Sequence, residues 1–315
     1  MGFRSGFVSI IGRPNAGKST LLNALVGEKL AIVTRKPQTT RNRIQGIVHV
    51  AKSSKRPAGQ IVLVDTPGVH KPINSLNHRM MKEVYDALEG CDLLLVIVDA
   101  TEKFGAGDEF VLDIARRTEL PCYLLLNKID TLQKDKLLPL IDRYKDIQDF
   151  AGIIPISALK KSGLDRLLDL ILKALPEGPR YFAEGQITDQ PERFFVAELI
   201  REQVLQFTSQ EVPHATTVVI DNFEEGSKLT KIAATIYCER EGQKAILIGR
   251  QGATLKKIGT YARRQIERML GTKVFLDLFV KVQPGWRESK ALVEELDWRR
   301  QLDRLSGSHQ DKEDE

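Results

Sequence analysis

Short apolar runs alternate with longer segments of helical period through the first half of the chain. Strands are predicted at about 7–11, 44–50, 60–64, 92–98, 122–126 and 152–156, and helices near 18–26, 77–88, 108–117, 135–146 and 163–174. Strand and helix in turn predict a mostly parallel α/β sheet covered on both faces. The pattern stops at Pro176-Glu177-Gly178-Pro179 and a polar stretch without period follows, so 176–190 reads as a linker. Beyond Pro191 the order changes to a helix (192–207), two strands (about 215–223 and 230–239), an apolar lead-in (244–248), a glycine turn (249–252), a helix (253–269) and a strand (274–282). In that last long helix Leu255, Ile258, Ile266 and Met269 are expected to face the core. The organisation is therefore a first domain at 1–175, a smaller α+β domain at 191–297, and an extension at 298–315. Residues 306–315 of that extension are polar, acidic and aperiodic, and disorder is expected there.

Composition narrows the class. A chain of 315 residues with 42% hydrophobic content suits two soluble domains. Cys91, Cys122 and Cys238 lie far apart, each in or beside an apolar strand, and read as buried packing residues in a reducing compartment. The longest clean apolar stretch, 93–98, is bracketed by Asp92 and Asp99 and falls well short of a membrane span. The opening Met1-Gly2-Phe3-Arg4-Ser5-Gly6 fits neither a myristoylation signal nor a signal peptide. A cytoplasmic monomer is expected, with peripheral attachment to the inner face of a membrane left open.

The chemistry-bearing segments fall at predicted strand ends, where open α/β sheets bind ligands. Gly12-Arg13-Pro14-Asn15-Ala16-Gly17-Lys18-Ser19-Thr20 follows the first strand and enters a helix, the context of a phosphate-binding loop. Its backbone N–H groups and the helix N-terminus can surround phosphate oxygens. Lys18 can reach the β/γ-phosphates, and the Ser19 hydroxyl can ligate Mg2+. After the third strand comes Asp65-Thr66-Pro67-Gly68, with Asp65 placed to hold Mg2+ through water and the Gly68 N–H placed to sense a γ-phosphate. The polar, basic segment 34–43 reads as a mobile loop whose Thr40, ahead of Thr39, closes over the metal.

The base is read elsewhere. A carboxylate at Asp130, in Asn127-Lys128-Ile129-Asp130, can accept both N1–H and the 2-amino hydrogens of guanine, a donor pair that adenine lacks. GTP is therefore favoured over ATP. Asn127 would tie this segment to the phosphate loop, the Lys128 stem would pack on the ring, and backbone N–H groups of Ser157-Ala158-Leu159 would meet guanine O6.

GRPNAGKS, PQTTR, DTPGVHKP, NKID and SAL together resemble the Era branch of bacterial translation GTPases, and the likeness runs to about Asp297. It implies a P-loop GTPase domain joined to a type II KH domain, acting in assembly of the small (30S) ribosomal subunit and binding near the 3′ end of 16S rRNA. In small GTPases a glutamine after the DxxG glycine orients the attacking water; this chain has Val69 there, so a low intrinsic rate is expected. In the related branch an asparagine at the position of Asn15 helps hold K+, and the resemblance extends that role to Asn15. Lys18, Thr40, Gly68 and Asn15 are the candidate catalytic residues. His70, beside the Pro-Gly turn, reads as a solvated loop residue.

In the second half, Ile248-Gly249-Arg250-Gln251-Gly252 between helices lets the backbone approach a nucleic-acid strand, and Leu255, Lys256 and Lys257 follow it. Ile246, Ile248 and Leu255 would frame a groove for unstacked bases. Residues 240–290 hold 12 lysines and arginines against 4 acidic residues, whereas the whole chain carries only +5. Arg263, Arg264 and Arg268 add to this charge as either an RNA contact or a solvated helix face. Two readings are carried forward: a GTP-hydrolysing switch for RNA binding, and a GTP-sensing module whose second half binds protein.

Overall fold

The computed structural model describes residues 2–34, 36, 38–53 and 56–300; the expected disorder at 306–315 lies outside them. Two compact units result, one comprising 1–72 and 79–190, the other 73–78 together with the chain from Pro191 onward.

The N-terminal unit contains β1 (Arg4–Ile11), α1 (Lys18–Val26), β2 (Ile44–Val50), β3 (Gly59–Asp65), most of α2 (Ser75–Leu88), β4 (Leu93–Asp99), α3 (Ala106–Arg116), β5 (Cys122–Asn127), α4 (Leu137–Lys145), β6 (Gly152–Pro155) and α5 (Leu164–Ala174). Its sheet has the order β2-β3-β1-β4-β5-β6, with β2 antiparallel to β3 and every other pair parallel. Central strands covered on both faces must be apolar throughout, and β4 shows it: Leu93 to Val98 are all buried. Strand β1 begins three residues before the expected Phe7, because Arg4 pairs in register with Gly59. Periodicity misses this start, since Arg4-Ser5-Gly6 carries no apolar signal.

The segment expected as a linker at 176–190 is instead pinned to the N-terminal unit. The Ile47 amide donates to Ile187 O at 2.8 Å and Thr188 Oγ1 to Gln45 O at 2.8 Å, while Gln60 Oε1 accepts from the amides of Tyr181 and Phe182 at 2.8 and 3.1 Å. Long-range pairings of this kind leave no local period, so the chain reads as structureless where it is tightly bonded.

The C-terminal unit runs α6 (Glu192–Phe207), β7 (Thr217–Glu224), β8 (Leu229–Cys238), α7 (Glu241–Ile248), α8 (Ala253–Leu270), β9 (Lys273–Val282) and α9 (Lys290–Glu295). Its sheet has the order β7-β8-β9, antiparallel then parallel, which is the type II KH arrangement. The helices pack on one sheet face around Val196, Ile200, Ile232, Ile236, Ile258 and Ile266. Met269 is a correction: it is 38% exposed, and Leu270 packs against the core instead. Steps of four from Ile258 through Ala262 and Ile266 arrive at Leu270, leaving Met269 one residue off the buried stripe. Residues 73–78 belong to this unit through Ser75 Oγ donating to Glu288 O at 2.6 Å and the Leu76 amide to Arg287 O at 3.0 Å. Trp298, past the expected end of the domain at 297, packs on Phe194 with ring centroids 5.2 Å apart.

Among the described residues no helix is long and apolar enough to cross a membrane. The three cysteines are buried and unpaired, and burial pushes the Cys122 thiol up to about 12.

Candidate functional site

The N-terminal unit holds a cavity of about 780 Å3 above the C-terminal ends of β1, β3, β4 and β5. Its wall brings together Asn15 to Thr20, Thr39, Thr40, Gly68, Asn127, Lys128, Asp130, Ala158 and Leu159 from segments far apart in sequence. Gly12, Asp65 and Ser157 stand buried behind that wall.

The loop after β1 turns sharply because two residues take the left-handed region, Asn15 at φ 64° and Gly17 at φ 105°. Gly17 admits no side chain, since a Cβ would lie 2.2 Å from Asn127 Nδ2. Lys18 opens α1 with its ammonium turned back to Gly12 O (3.0 Å) and Arg13 O (2.9 Å), and only 5% of the residue is exposed. Burial lowers its pKa to about 8, against the pull of Asp65, which raises it. Asp65 is fully buried; desolvation pushes its carboxyl up to about 6, opposed by the Lys18 charge and by hydrogen bonds from Ser19, the Thr66 amide and Thr40.

Ser19, Thr40 and Asp65 converge. Ser19 Oγ donates to Asp65 Oδ2 at 2.6 Å and lies 2.8 Å from Thr40 Oγ1, while Asp65 Oδ1 is buried with no partner. Thr39 is turned away, its hydroxyl bonded to Lys36 O and paired with Thr34 Oγ1. Two hydroxyl oxygens 2.8 Å apart match one edge of an octahedron with bonds of about 2.1 Å, and the carboxylate behind them keeps one oxygen, Asp65 Oδ1, without a partner. The donor set therefore fits Mg2+, which Ser19 and Thr40 could ligate directly with Asp65 behind them.

At the other end of the cavity Asn127 joins two loops, its Nδ2 donating to Ala16 O at 2.8 Å and its Oδ1 accepting from the Ala158 amide at 3.0 Å. The Ala158 amide, expected to meet a base oxygen, is thus already engaged, and the Ser157 amide is bonded to Ser162 O. Ser157 Oγ donates to Asp130 Oδ1 at 2.6 Å and aims that carboxylate. Lys128 is held by Asp99 at 2.5 Å, a partner the sequence reading missed although Asp99, like Asp65, ends a buried strand. Burial pushes the Asp99 carboxyl up, but the hydrogen bonds from Lys128 and Thr101 outweigh it and hold it below its ordinary value.

Val69 is 1% exposed and packed in the core. His70 is not the free loop residue expected: its Nδ1 donates to Gly68 O at 2.8 Å, leaving Nε2 to accept from Gln38 Nε2 at 3.4 Å.

In the C-terminal unit the glycine loop sits between α7 and α8. Gly249 at φ 73° meets Thr254 so closely that a Cβ would lie 2.2 Å from its Oγ1, and Gln251 and Gly252 are also left-handed at φ 51° and 75°. Arg250, Gln251, Lys256 and Lys257 are exposed, as are Arg263, Arg264 and Arg268; Ile248 and Leu255 are half-buried and Ile246 is exposed. Lys257, Tyr261, Arg264 and Arg268 form one stripe along α8, with the Arg264 guanidinium 5.9 Å from the Tyr261 ring centroid.

Comparison with known proteins matches both units. Residues 7–128 match the family described as 50S ribosome-binding GTPase, and residues 211–287 match the KH domain. A protein named GTPase Era from Ruminiclostridium cellulolyticum is 47% identical over 300 residues, covering 95% of this chain and 99% of that one. Another GTPase Era, from Geobacter metallireducens, is 50% identical over 296 residues, covering 93% and 97%. Among solved structures, an Era variant from Aquifex aeolicus bound to GDP·AlF4− is 39% identical with a TM-score of 0.88, covering 93% of this chain and 98% of that one. Era in complex with MgGDPNP and nucleotides 1506–1542 of 16S ribosomal RNA is also 39% identical, with a TM-score of 0.89 and the same coverage.

Proposed function

Since the chain belongs to the Era family of GTPases, and so is a GTP-hydrolysing enzyme with a KH domain, we propose that GTP in its N-terminal pocket governs the grip of its glycine loop on unpaired nucleotides near the 3′ end of 16S rRNA during 30S assembly in the cytoplasm. The observation that carries this reading is the meeting of Ser19, Thr40 and Asp65 oxygens beside Lys18. It links the phosphate loop to the two segments whose order would depend on a γ-phosphate, 34–43 and 65–70.

In the proposed mechanism the amides from Asn15 to Thr20 and the start of α1 hold the phosphates, with Gly12 shaping the turn. Lys18 exchanges its two carbonyl partners for phosphate oxygens, which supports its charged form in a dry site. Mg2+, when bound through Ser19 and Thr40 with Asp65 behind, neutralises charge on the β- and γ-phosphates. Gly68 N–H faces the γ-phosphate. With Val69 in the core, attack by water relies on positioning and charge neutralisation, to which K+ would contribute if Asn15 held it. Asp130, aimed by Ser157, accepts from the guanine N1–H and 2-amino groups, and Lys128, fixed by Asp99, lies along the ring. Asn127 keeps both ends of the pocket in one frame, with Ala158 and Leu159 closing the base side.

On the RNA side, Gly249 and Gly252 admit a nucleotide backbone, Arg250, Lys256 and Lys257 pair with its phosphates, and Gln251, Ile248 and Leu255 face the bases. The test is binding of RNA spanning nucleotides 1506–1542 of 16S rRNA to the full chain with a GTP analogue or GDP. Affinity should differ between the two nucleotides. Arg250→Asp/Lys256→Asp should weaken binding and lower the salt slope by about 1.4, roughly 0.7 per lost phosphate contact. Equal affinity in both nucleotide states, or an unaffected double variant, would refute the proposal and return the protein-binding reading.

A further inference from the structure

The two faces of the C-terminal sheet are unlike. Helices cover one face; the other carries Lys273, Phe275, Asp277, Phe279 and Lys281 of β9, all exposed. Phe275 and Phe279 are 59% and 55% exposed, on a strand whose alternate residues Val274, Leu276, Leu278 and Val280 turn to the core. Beside them on β8, by register, stand Lys231 against Phe275, Ala233 against Asp277, Thr235 against Phe279 and Tyr237 against Lys281. The Lys281 ammonium lies 5.8 Å from the Tyr237 ring centroid.

Resting on the RNA-binding reading above, we propose that this sheet face is a second contact for the same RNA, with Phe275 and Phe279 stacking unpaired bases after the strand leaves the glycine loop. Three features point to nucleic acid as the occupant. The rings are four residues apart on one face, about 13 Å, over a floor kept low by Ala233 and Thr235, so planar bases can lie against them. Lysines flank the rings, with Lys231 beside Phe275 and with Lys273 and Lys281 at the two ends of the β9 row; cations beside aromatic rings are the chemistry of single-strand binding. Asp277, between the rings, can accept from the amino group of a base, and Asp221 of β7 is already bonded to Thr235 at 2.7 Å.

The path is short. Glu267, near the C-terminal end of α8, accepts from the Val274 amide at 3.2 Å, so α8 and β9 run antiparallel. At about 27 Å for the 18 residues of α8 and about 33 Å for the 10 of β9, the glycine loop lies toward the Lys281 end. Since β9 is an edge strand, RNA need only pass over that edge to reach Phe279.

The test uses the full chain with two probes, a four-nucleotide RNA that fills the glycine loop alone and the RNA of nucleotides 1506–1542. Phe275→Ala/Phe279→Ala should weaken the long RNA by roughly tenfold for each ring and leave the short one unchanged. Trp at both positions should restore binding and Leu should not, because stacking needs a ring. Lys256→Ala/Lys257→Ala should weaken both probes. If the lysine variant weakens both probes and the ring variant weakens neither, the sheet-face proposal falls and the glycine-loop reading stands. If the lysine variant weakens neither, that reading falls, whatever the rings do. Recovery with Leu equal to that with Trp, or a ring-variant defect toward 30S particles but not toward naked RNA, would mark a protein-docking face and equally overturn the proposal.

Discussion

Asp65 and Lys18 make the nucleotide-free pocket least stable where the enzyme must work. The Asp65 carboxyl titrates at about 6 in the fold against 3.8 outside it, so its neutral form is the favoured one. The stability it contributes is complete below about pH 4 and lost as the pH rises through about 6. Lys18 runs the opposite way, at about 8 against 10.5, so its contribution is complete above about pH 10.5 and lost as the pH falls through about 8. Between about pH 6 and 8 both groups are charged and both contributions are at their minimum. At about 1.4 kcal/mol per pH unit, the ionised Asp65 lowers stability by about 3 kcal/mol at pH 7. Asp65→Asn retains a partner for Ser19 without the charge, so the nucleotide-free and metal-free variant should be about 3 kcal/mol more stable than the parent at pH 7. It should converge with the parent below about pH 4 and lose Mg2+-dependent GTP binding. Urea denaturation followed by far-UV circular dichroism measures this; Trp286 and Trp298 both lie in the C-terminal unit, so tryptophan fluorescence follows that unit as an internal control. A stability maximum at pH 7 for the N-terminal transition, or an Asp65→Asn variant weaker than the parent across the range, would refute the reasoning.

Asp130→Asn exchanges a doubly accepting carboxylate for an amide. Two charge-assisted bonds at about 1.5–3 kcal/mol each predict a loss of GTP affinity of at least a hundredfold, with xanthosine triphosphate gaining, in a competition assay; an intact guanine preference would remove the assignment. If K+ at Asn15 neutralises charge in the reaction, turnover should fall when K+ is replaced by a larger organic cation, and Asn15→Gly should abolish that dependence. Equal rates with and without K+ would exclude this role.

The nucleotide motifs were legible because their chemistry demands particular residues at fixed spacing, each at the end of an apolar run. Ser19, Thr40, Asp65, Asn127 and Asp130 all come to one cavity or stand directly behind it. What escaped reading depends on contacts across the fold. That Asp99 holds Lys128, or that the Ala158 amide is taken by Asn127, follows from the register of β4 on β5 and of β5 on β6, which no local pattern encodes. His70 looked solvated because its partners, Gly68 O and Gln38, are fixed by how two loops fold together. The stretch at 176–190 failed for the same reason: an edge pairing with β2 needs no amphipathic alternation of its own.

The six residues at 73–78 have a practical consequence. Because they build part of the C-terminal unit yet precede most of the N-terminal helix α2 in sequence, no single cut divides the protein into two complete halves. A fragment ending at 190 carries a piece of its neighbour's framework, and one beginning at 191 lacks the donors to Arg287 O and Glu288 O. Gene fusions that swap one half alone would inherit that defect, which ties the inheritance of the two halves together.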